Sequence, residues 1–226
     1  MKRHTKGFTL IELLISMSLL ATIMLLGTWS FSVFTSKWEG SLGKFAENVS
    51  QAKDFILLND IITTIAPYVY VKNGRGHYYF EGSEEEFKGV TLGSIFHPKS
   101  AVAFRIQVKQ HIDGSYYLLY QEQELVVLSD PSDIEYTHEK ILIEDAQSIR
   151  LTYLGWTTAL EKINSEDSTV TSMAAPQWRP AYNSEISSLM PIAIKIKWDE
   201  SVTEVNLVND QGQWLSILRN AGGINE

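Results

Sequence analysis

Cysteine is absent from the 226 residues, which excludes a disulfide framework and any thiolate chemistry. Positive charge is scarce: 19 Lys and Arg stand against 27 Asp and Glu, for a net charge of −8. With no basic stripe to neutralise phosphates, a nucleic-acid grip is not expected. The five histidines, His4, His77, His97, His111 and His138, never fall at metal-ligand spacings such as His-Glu-x-x-His, so no zinc chemistry is expected. A Gly-x-Ser-x-Gly elbow is missing, and Gly74-Arg75-Gly76 has neither the spacing nor the following helix of a phosphate-cradling loop. Asp130, Asp133 and Glu135 lack the glycine and the spacing of a calcium loop and read as solvated turn carboxylates. The sequence therefore offers no catalytic constellation, no metal site and no cofactor.

One long stretch is almost free of charge. Between Lys6 and Lys37 the only formal charge is Glu12, and Phe8 to Phe34 is an apolar run of 27 residues. As a helix it would extend roughly 40 Å at ~1.5 Å per residue, enough to cross a hydrocarbon core of ~30 Å. A carboxylate near the start of such a run costs a few kcal/mol in lipid and reads first as functional. No partner for it is expected inside the segment. An ordinary secretory signal would place small residues beyond a shorter apolar core, whereas here Gly7 stands in front of a much longer one. Lys2, Arg3 and Lys6 before the run, and the acidic bulk after it, orient the N-terminus to the cytoplasm by the positive-inside rule.

This stretch, a basic leader followed by Gly7-Phe8-Thr9-Leu10-Ile11-Glu12, resembles the class III signal sequence of type IV prepilins and type II secretion pseudopilins. The resemblance implies that a prepilin peptidase cuts between Gly7 and Phe8 and methylates the new amine of Phe8. Residues 1–7 would then leave as a leader and 8–34 would stay as a membrane anchor. Loss of Lys2, Arg3 and Lys6 leaves 16 basic against 27 acidic residues, a net charge of −11. In an assembled bundle of such helices, Glu12 would pair with the cationic amine that a neighbouring subunit carries at its own position 8.

Beyond Phe34 the apolar positions change pattern. Trp38, Leu42, Phe45, Val49, Ala52, Phe55, Leu58, Ile62 and Ile65 recur at steps of three and four, with Lys44, Glu47, Gln51, Lys53 and Asp54 between them. That is an amphipathic helix over residues 35–66, its stripe expected on the chain's own sheet, weakest at Gly40 and Gly43 and ended by Pro67. A domain starting near Lys37 is accordingly expected to be soluble.

Residues 67–226 carry period-two signals. Val102, Phe104, Ile106 and Val108 alternate with polar residues, and Asp113-Gly114 leads into Tyr116 to Tyr120 as a hairpin. Further strands are expected at 68–72, 77–81, 125–128, 141–143, 148–154, 191–198, 202–208 and 214–218. Glu84-Glu85-Glu86 reads as an exposed turn, and 161–175 as a long polar loop. Helices do not alternate with the strands, so the predicted class is α+β: a long N-terminal helix, apolar in its first half and amphipathic in its second, packed on antiparallel sheet. Most of the large aromatics, Tyr116, Tyr117, Tyr120, Trp156, Trp178 and Trp198 among them, are expected in the core.

The strand half resembles the minor pseudopilin J of type II secretion systems. The residues that carry this are Ile141 to Ala146, Ile149 to Leu154, Trp178, and Met190-Pro191 opening the alternation to Ile196. Two departures are visible: Tyr182 stands where a second Trp would be expected, and Met190 replaces a Leu. The resemblance implies a pilin-like fold and a non-enzymatic subunit at or near the tip of a pseudopilus that supports protein export. It further implies an inner-membrane location with the bulk of the chain periplasmic, and partners in the I- and K-type minor pseudopilins, the major pseudopilin and the peptidase. A minor pilin of a type IV pilus or DNA-uptake machine shares the leader and anchor and is the alternative. A membrane-tethered hydrolase or solute-binding domain would need a site that the sequence does not display.

Overall fold

A computed structural model of the chain describes residues 9–72, 75–125, 134–166 and 175–207, with side chains 39–44 outside the description. The chain divides into two compact units, Met1–Ser50 and Gln51–Glu226, and helix α1, Leu10–Thr63, contributes to both.

In the first unit the opening stretch of α1 is strongly apolar. Leu10–Trp38 is long and apolar enough to cross a membrane, and none of the qualifying stretch is buried within the chain. Several of its hydroxyls bond back to the helix itself: Ser18 donates to the Ile15 carbonyl at 2.9 Å, Thr22 to Ser18 at 2.8 Å and Thr28 to Met24 at 2.8 Å. Polar atoms inside an apolar segment are thereby satisfied without water, as a hydrocarbon surrounding demands.

The second unit is built on the end of α1. Leu58, Ile61 and Ile62, with Ile65 just beyond the helix, are at most 1% exposed and fall at helical spacing on one face. Of the stripe expected to be buried from residue 38 onward, this end alone is fully buried among the described side chains. Trp38 is 57% and Phe45 66% exposed, Val49 and Ala52 are exposed as well, and Phe55 only grazes Trp198 at 6.1 Å between ring centres. Periodicity marks a face without saying how much of it is covered. The helix also ends at Thr63, before the expected boundary at 66, because Ile65–Ala66 (β1) is drawn into the sheet against Val90 and Thr91. Pro67 agrees with this, since it disfavours the α conformation at Ala66.

The fold is α+β with every strand pairing antiparallel, as predicted. Val69–Lys72 (β2) and Arg75–Tyr78 (β3) form a separate hairpin. The larger sheet uses β4 (Glu81–Gly82), β5 (Glu86–Thr91), β6 (Val102–Gln110), β7 (Tyr116–Glu124) and β8 (His138–Ala146) in sequence order. After β9 (Ile149–Gly155) come α2 (Ala159–Glu166), β10 (Gln177–Arg179), β11 (Tyr182–Asn183), α3 (Ser184–Ser187), β12 (Ala193–Trp198) and β13 (Ser201–Asn206). β11 joins the first sheet beside β4, β1 pairs with β5, and the second sheet runs β10-β9-β12-β13.

Three elements differ from expectation. Glu86 opens β5 instead of lying in an exposed turn, because Phe87 and Val90 behind it are buried and Gly89 allows the Phe104 and Phe80 rings within 3.3 Å of where a Cβ would stand. The expected strand 77–81 is split between β3 and β4. The expected loop 161–175 begins inside α2, which Thr158 and Glu161 start as a capping box: the Glu161 amide donates to Thr158 at 3.2 Å and its carboxylate accepts from the Thr157 amide at 3.0 Å. The expected strand 214–218 lies outside the described residues, as does the end of 125–128.

One core joins the helix end to both sheets. Phe87, Phe104, Ile106 and Leu118 from the first sheet meet Leu151, Tyr153, Ile194 and Ile196 from the second, with Leu58, Ile61 and Ile62 of α1 in the same cluster. The sheets approach closely at a glycine: a Cβ on Gly82 would lie 2.4 Å from the Tyr153 ring, whose hydroxyl donates to the Ser83 carbonyl at 2.7 Å. Of the large aromatics, Tyr120 is buried, Tyr116 and Tyr117 are partly covered, and Trp178 lies under the Lys195 ammonium, 3.7 Å from its ring centre.

Candidate functional site

The N-terminus of α1 is the first place to look, since it holds the one charge in the apolar run. Gly7 and Phe8 lie outside the described residues. Thr9 precedes the helix as its N-cap and Glu12 occupies the third helical position. The Thr9 amide and hydroxyl donate to Glu12 Oε2 at 3.0 and 2.9 Å, and the Glu12 amide approaches Thr9 Oγ1 at 3.4 Å. This reciprocal capping box satisfies donors that every helix start leaves open. It corrects the expectation that Glu12 has no partner within the segment. The Thr-x-x-Glu spacing was the available signal. Both bonds fall on Oε2, and among the described residues nothing donates to Oε1.

A second carboxylate, Glu122 on β7, carries no signal in the sequence. It is 0% exposed. Oε1 accepts from Ser94 Oγ at 2.6 Å and the Phe96 amide at 3.1 Å, and lies 2.8 Å from His97 Nδ1. Oε2 accepts from the Ile95 amide at 2.9 Å and the Tyr120 hydroxyl at 2.5 Å. Burial pushes its pKa up, yet the Ser94, Tyr120 and His97 side chains and the Ile95 amide outweigh it and hold the carboxyl below its ordinary value. Ser94 and His97 both meet the carboxylate, so the order nucleophile, base, orienting acid is not met. The arrangement fastens the β5–β6 connection to β7.

A cleft of about 140 Å³ lies among Tyr70, Lys72, Tyr79, Glu81, Lys88 and Glu185. Its charges pair across it: Lys72 with Glu185 at 3.2 Å, and Lys88 with Glu81 at 2.8 Å. Hydrogen bonds from Lys72 and then Tyr70 hold the Glu185 carboxyl low against the opposing effect of burial. A nucleophile beside a base is missing from its lining. Asp130 and Asp133 lie outside the described residues, and among the described ones no three His, Asp or Glu side chains form a metal-binding group.

Comparison with known proteins bears on the first of these places. The prokaryotic N-terminal methylation motif matches residues 2–28. No curated protein and no solved structure matches the chain. The matched motif is a class III prepilin leader, and it indicates a type IV pilin-like or pseudopilin-type protein with an N-terminal apolar helix suited to membrane anchoring.

Proposed function

We propose that the chain is a minor pseudopilin of the J type, a non-enzymatic subunit at or near the tip of a type II secretion pseudopilus. The observation that carries this is the single charge of Glu12 in an apolar run that begins inside the matched methylation motif. The peptidase cuts between Gly7 and Phe8 and methylates the Phe8 amine; residues 8–34 anchor the chain in the inner membrane; the helix continues beyond them to Thr63; and the rest of the chain forms the periplasmic domain. The J-type assignment is supported by the segments 141–146, 149–154, 178 and 190–196, which supply β8, β9, β10 and β12 in that chain order. Partners are the I- and K-type minor pseudopilins and the major pseudopilin.

In a low-dielectric helix bundle an uncompensated carboxylate is costly, and pairing with a cation offsets much of that cost. Glu12 Oε1 receives the amine of a neighbour's Phe8 while Thr9 keeps Oε2. Mass spectrometry of the protein from its native membrane should find methylated Phe8 as the first residue, and Gly7→Leu should leave the precursor uncut; an intact Met1 in the native form refutes the processing step. Copurification with I- and K-type subunits, and not with pilus or DNA-uptake components, tests the J assignment.

A further inference from the structure

The Glu122 cluster continues outward into a second histidine. His138, the first residue of β8, lies with its ring centre 4.8 Å from that of His97 and the ring planes at 88°. Hydrogen bonding fixes the tautomer of each ring. His97 Nδ1 faces a carboxylate that is already an acceptor for four other groups, so it donates and Nε2 keeps the lone pair. Thr137 has one hydroxyl hydrogen, which it gives to Gln123 Oε1 at 2.5 Å. The Thr137 oxygen therefore accepts from His138 Nδ1 at 2.9 Å, and His138 Nε2 also keeps its lone pair.

We propose that His97 and His138 are the two protein ligands, through Nε2, of a borderline divalent transition metal of the Zn²⁺ or Cu²⁺ class. A ligating histidine characteristically donates its other ring N–H to a carboxylate or another acceptor, and both rings do so here. The spacing agrees as well. With metal–nitrogen bonds of about 2.0–2.1 Å and ring centres roughly 1.1 Å behind each nitrogen, centres 4.8 Å apart correspond to an angle of about 100° at the metal, close to tetrahedral. His97 is 26% exposed and His138 is exposed, so the ion enters from solvent. No third His, Asp or Glu joins the pair among the described residues, and water completes the shell. The bound ion ties the β5–β6 connection to β8, two strands beyond β6 in the sheet.

The test is titration of the full chain in detergent with Zn²⁺ alone by calorimetry, and with Cu²⁺ read by electron paramagnetic resonance. One ion per chain at submillimolar affinity is expected, with two nitrogens coupled to the copper. His97→Gln and His138→Gln should each weaken binding at least tenfold, whereas His4→Gln, His77→Gln and His111→Gln should leave it unchanged. His138→Gln removes a ligand without touching Glu122, so it separates loss of the site from loss of the fold. Absence of saturable binding in the folded chain, unchanged affinity in His138→Gln, or loss of binding in His4→Gln overturns the assignment.

Discussion

Replacing Glu122 with Gln changes one oxygen of a buried carboxylate into an NH₂ group and almost nothing in volume. Five groups point at the two oxygens, and all of them can donate. If the NH₂ faces the Oε2 side, the Tyr120 hydroxyl can turn and accept, but the Ile95 amide cannot. If it faces the Oε1 side, the Phe96 amide is the group left without an acceptor. Either way at least one buried backbone N–H is orphaned, at ~1–3 kcal/mol, and the remaining bonds lose the charge that made them strong. A destabilisation of about 2–4 kcal/mol follows from these terms. Urea unfolding of the full chain in detergent measures it, and hydrogen exchange at Ile95, Phe96 and His97 locates it. The pH dependence gives a second reading. Because the folded pKa lies below the unfolded one, the carboxylate contributes its full stability above the ordinary range, and that contribution is lost as pH falls through the lowered folded value. The Gln variant should therefore lack this part of the acid-induced loss. A change within about 0.5 kcal/mol, the scatter of neutral surface substitutions, together with an unaltered acid limb would refute the reasoning.

Gly82→Ala places a methyl 2.4 Å from the Tyr153 ring and should cost ~1–3 kcal/mol, against a smaller loss for Gly114→Ala, where the φ of 93° is the only obstacle; equal losses in thermal unfolding would refute the packing argument. A fragment beginning at Gln51 should unfold cooperatively, since the fully buried side chains of α1 begin at Leu58, and a molten fragment would contradict this. Lys140→Ala removes a 2.8 Å pair with Asp54 that is partly shielded from water, so a loss of about 0.5–1 kcal/mol is expected in the same fragment, reduced but not abolished in high salt; no loss at low salt would contradict it. Glu12→Gln should leave cleavage and membrane insertion intact and reduce crosslinking to neighbouring subunits, with normal crosslinking and secretion ruling out the pairing.

Most of the sheet was legible because its long strands alternate cleanly. Val102 to Val108 and Ile194 to Trp198 announce themselves, and Asp113-Gly114 marks the turn between β6 and β7, where the Ser115 amide and hydroxyl bond the Asp113 carboxylate at 3.0 and 2.8 Å. The strands that escaped are short or interrupted. β4, β10 and β11 have two or three residues each, too few to establish a period. β5 is longer, but its acidic start and Gly89 hide Phe87 and Val90, and only Phe104 and Phe80 packing over that glycine explain why it is there. Exposure along α1 was out of reach for another reason: Val49, Ala52 and Phe55 recur at the same spacing as the buried Leu58 and Ile62, and spacing alone does not say which of them is covered.

The two carboxylates mark where local reading stops. Thr9 and Glu12 sit three residues apart, so the geometry of one helical turn is enough to bring them together. Glu122 gathers Ser94, Ile95, Phe96 and His97 from a connection about 25 residues earlier, and His138 arrives from 16 residues later, on the far strand of the hydrogen-bonded pair β7–β8. Register brings Glu122 opposite His138 across those strands, at the end of the stretch Leu119–Glu122 that pairs regularly with His138–Ile141, while the irregularity lies farther along, between Tyr116 and Leu119. A single-residue slip would turn the Glu122 side chain to the other face of the sheet and leave four donors of the β5–β6 connection without an acceptor. The carboxylate is thus a check on the register as well as its product: the pairing that buries Glu122 is stable because that same pairing supplies its hydrogen bonds.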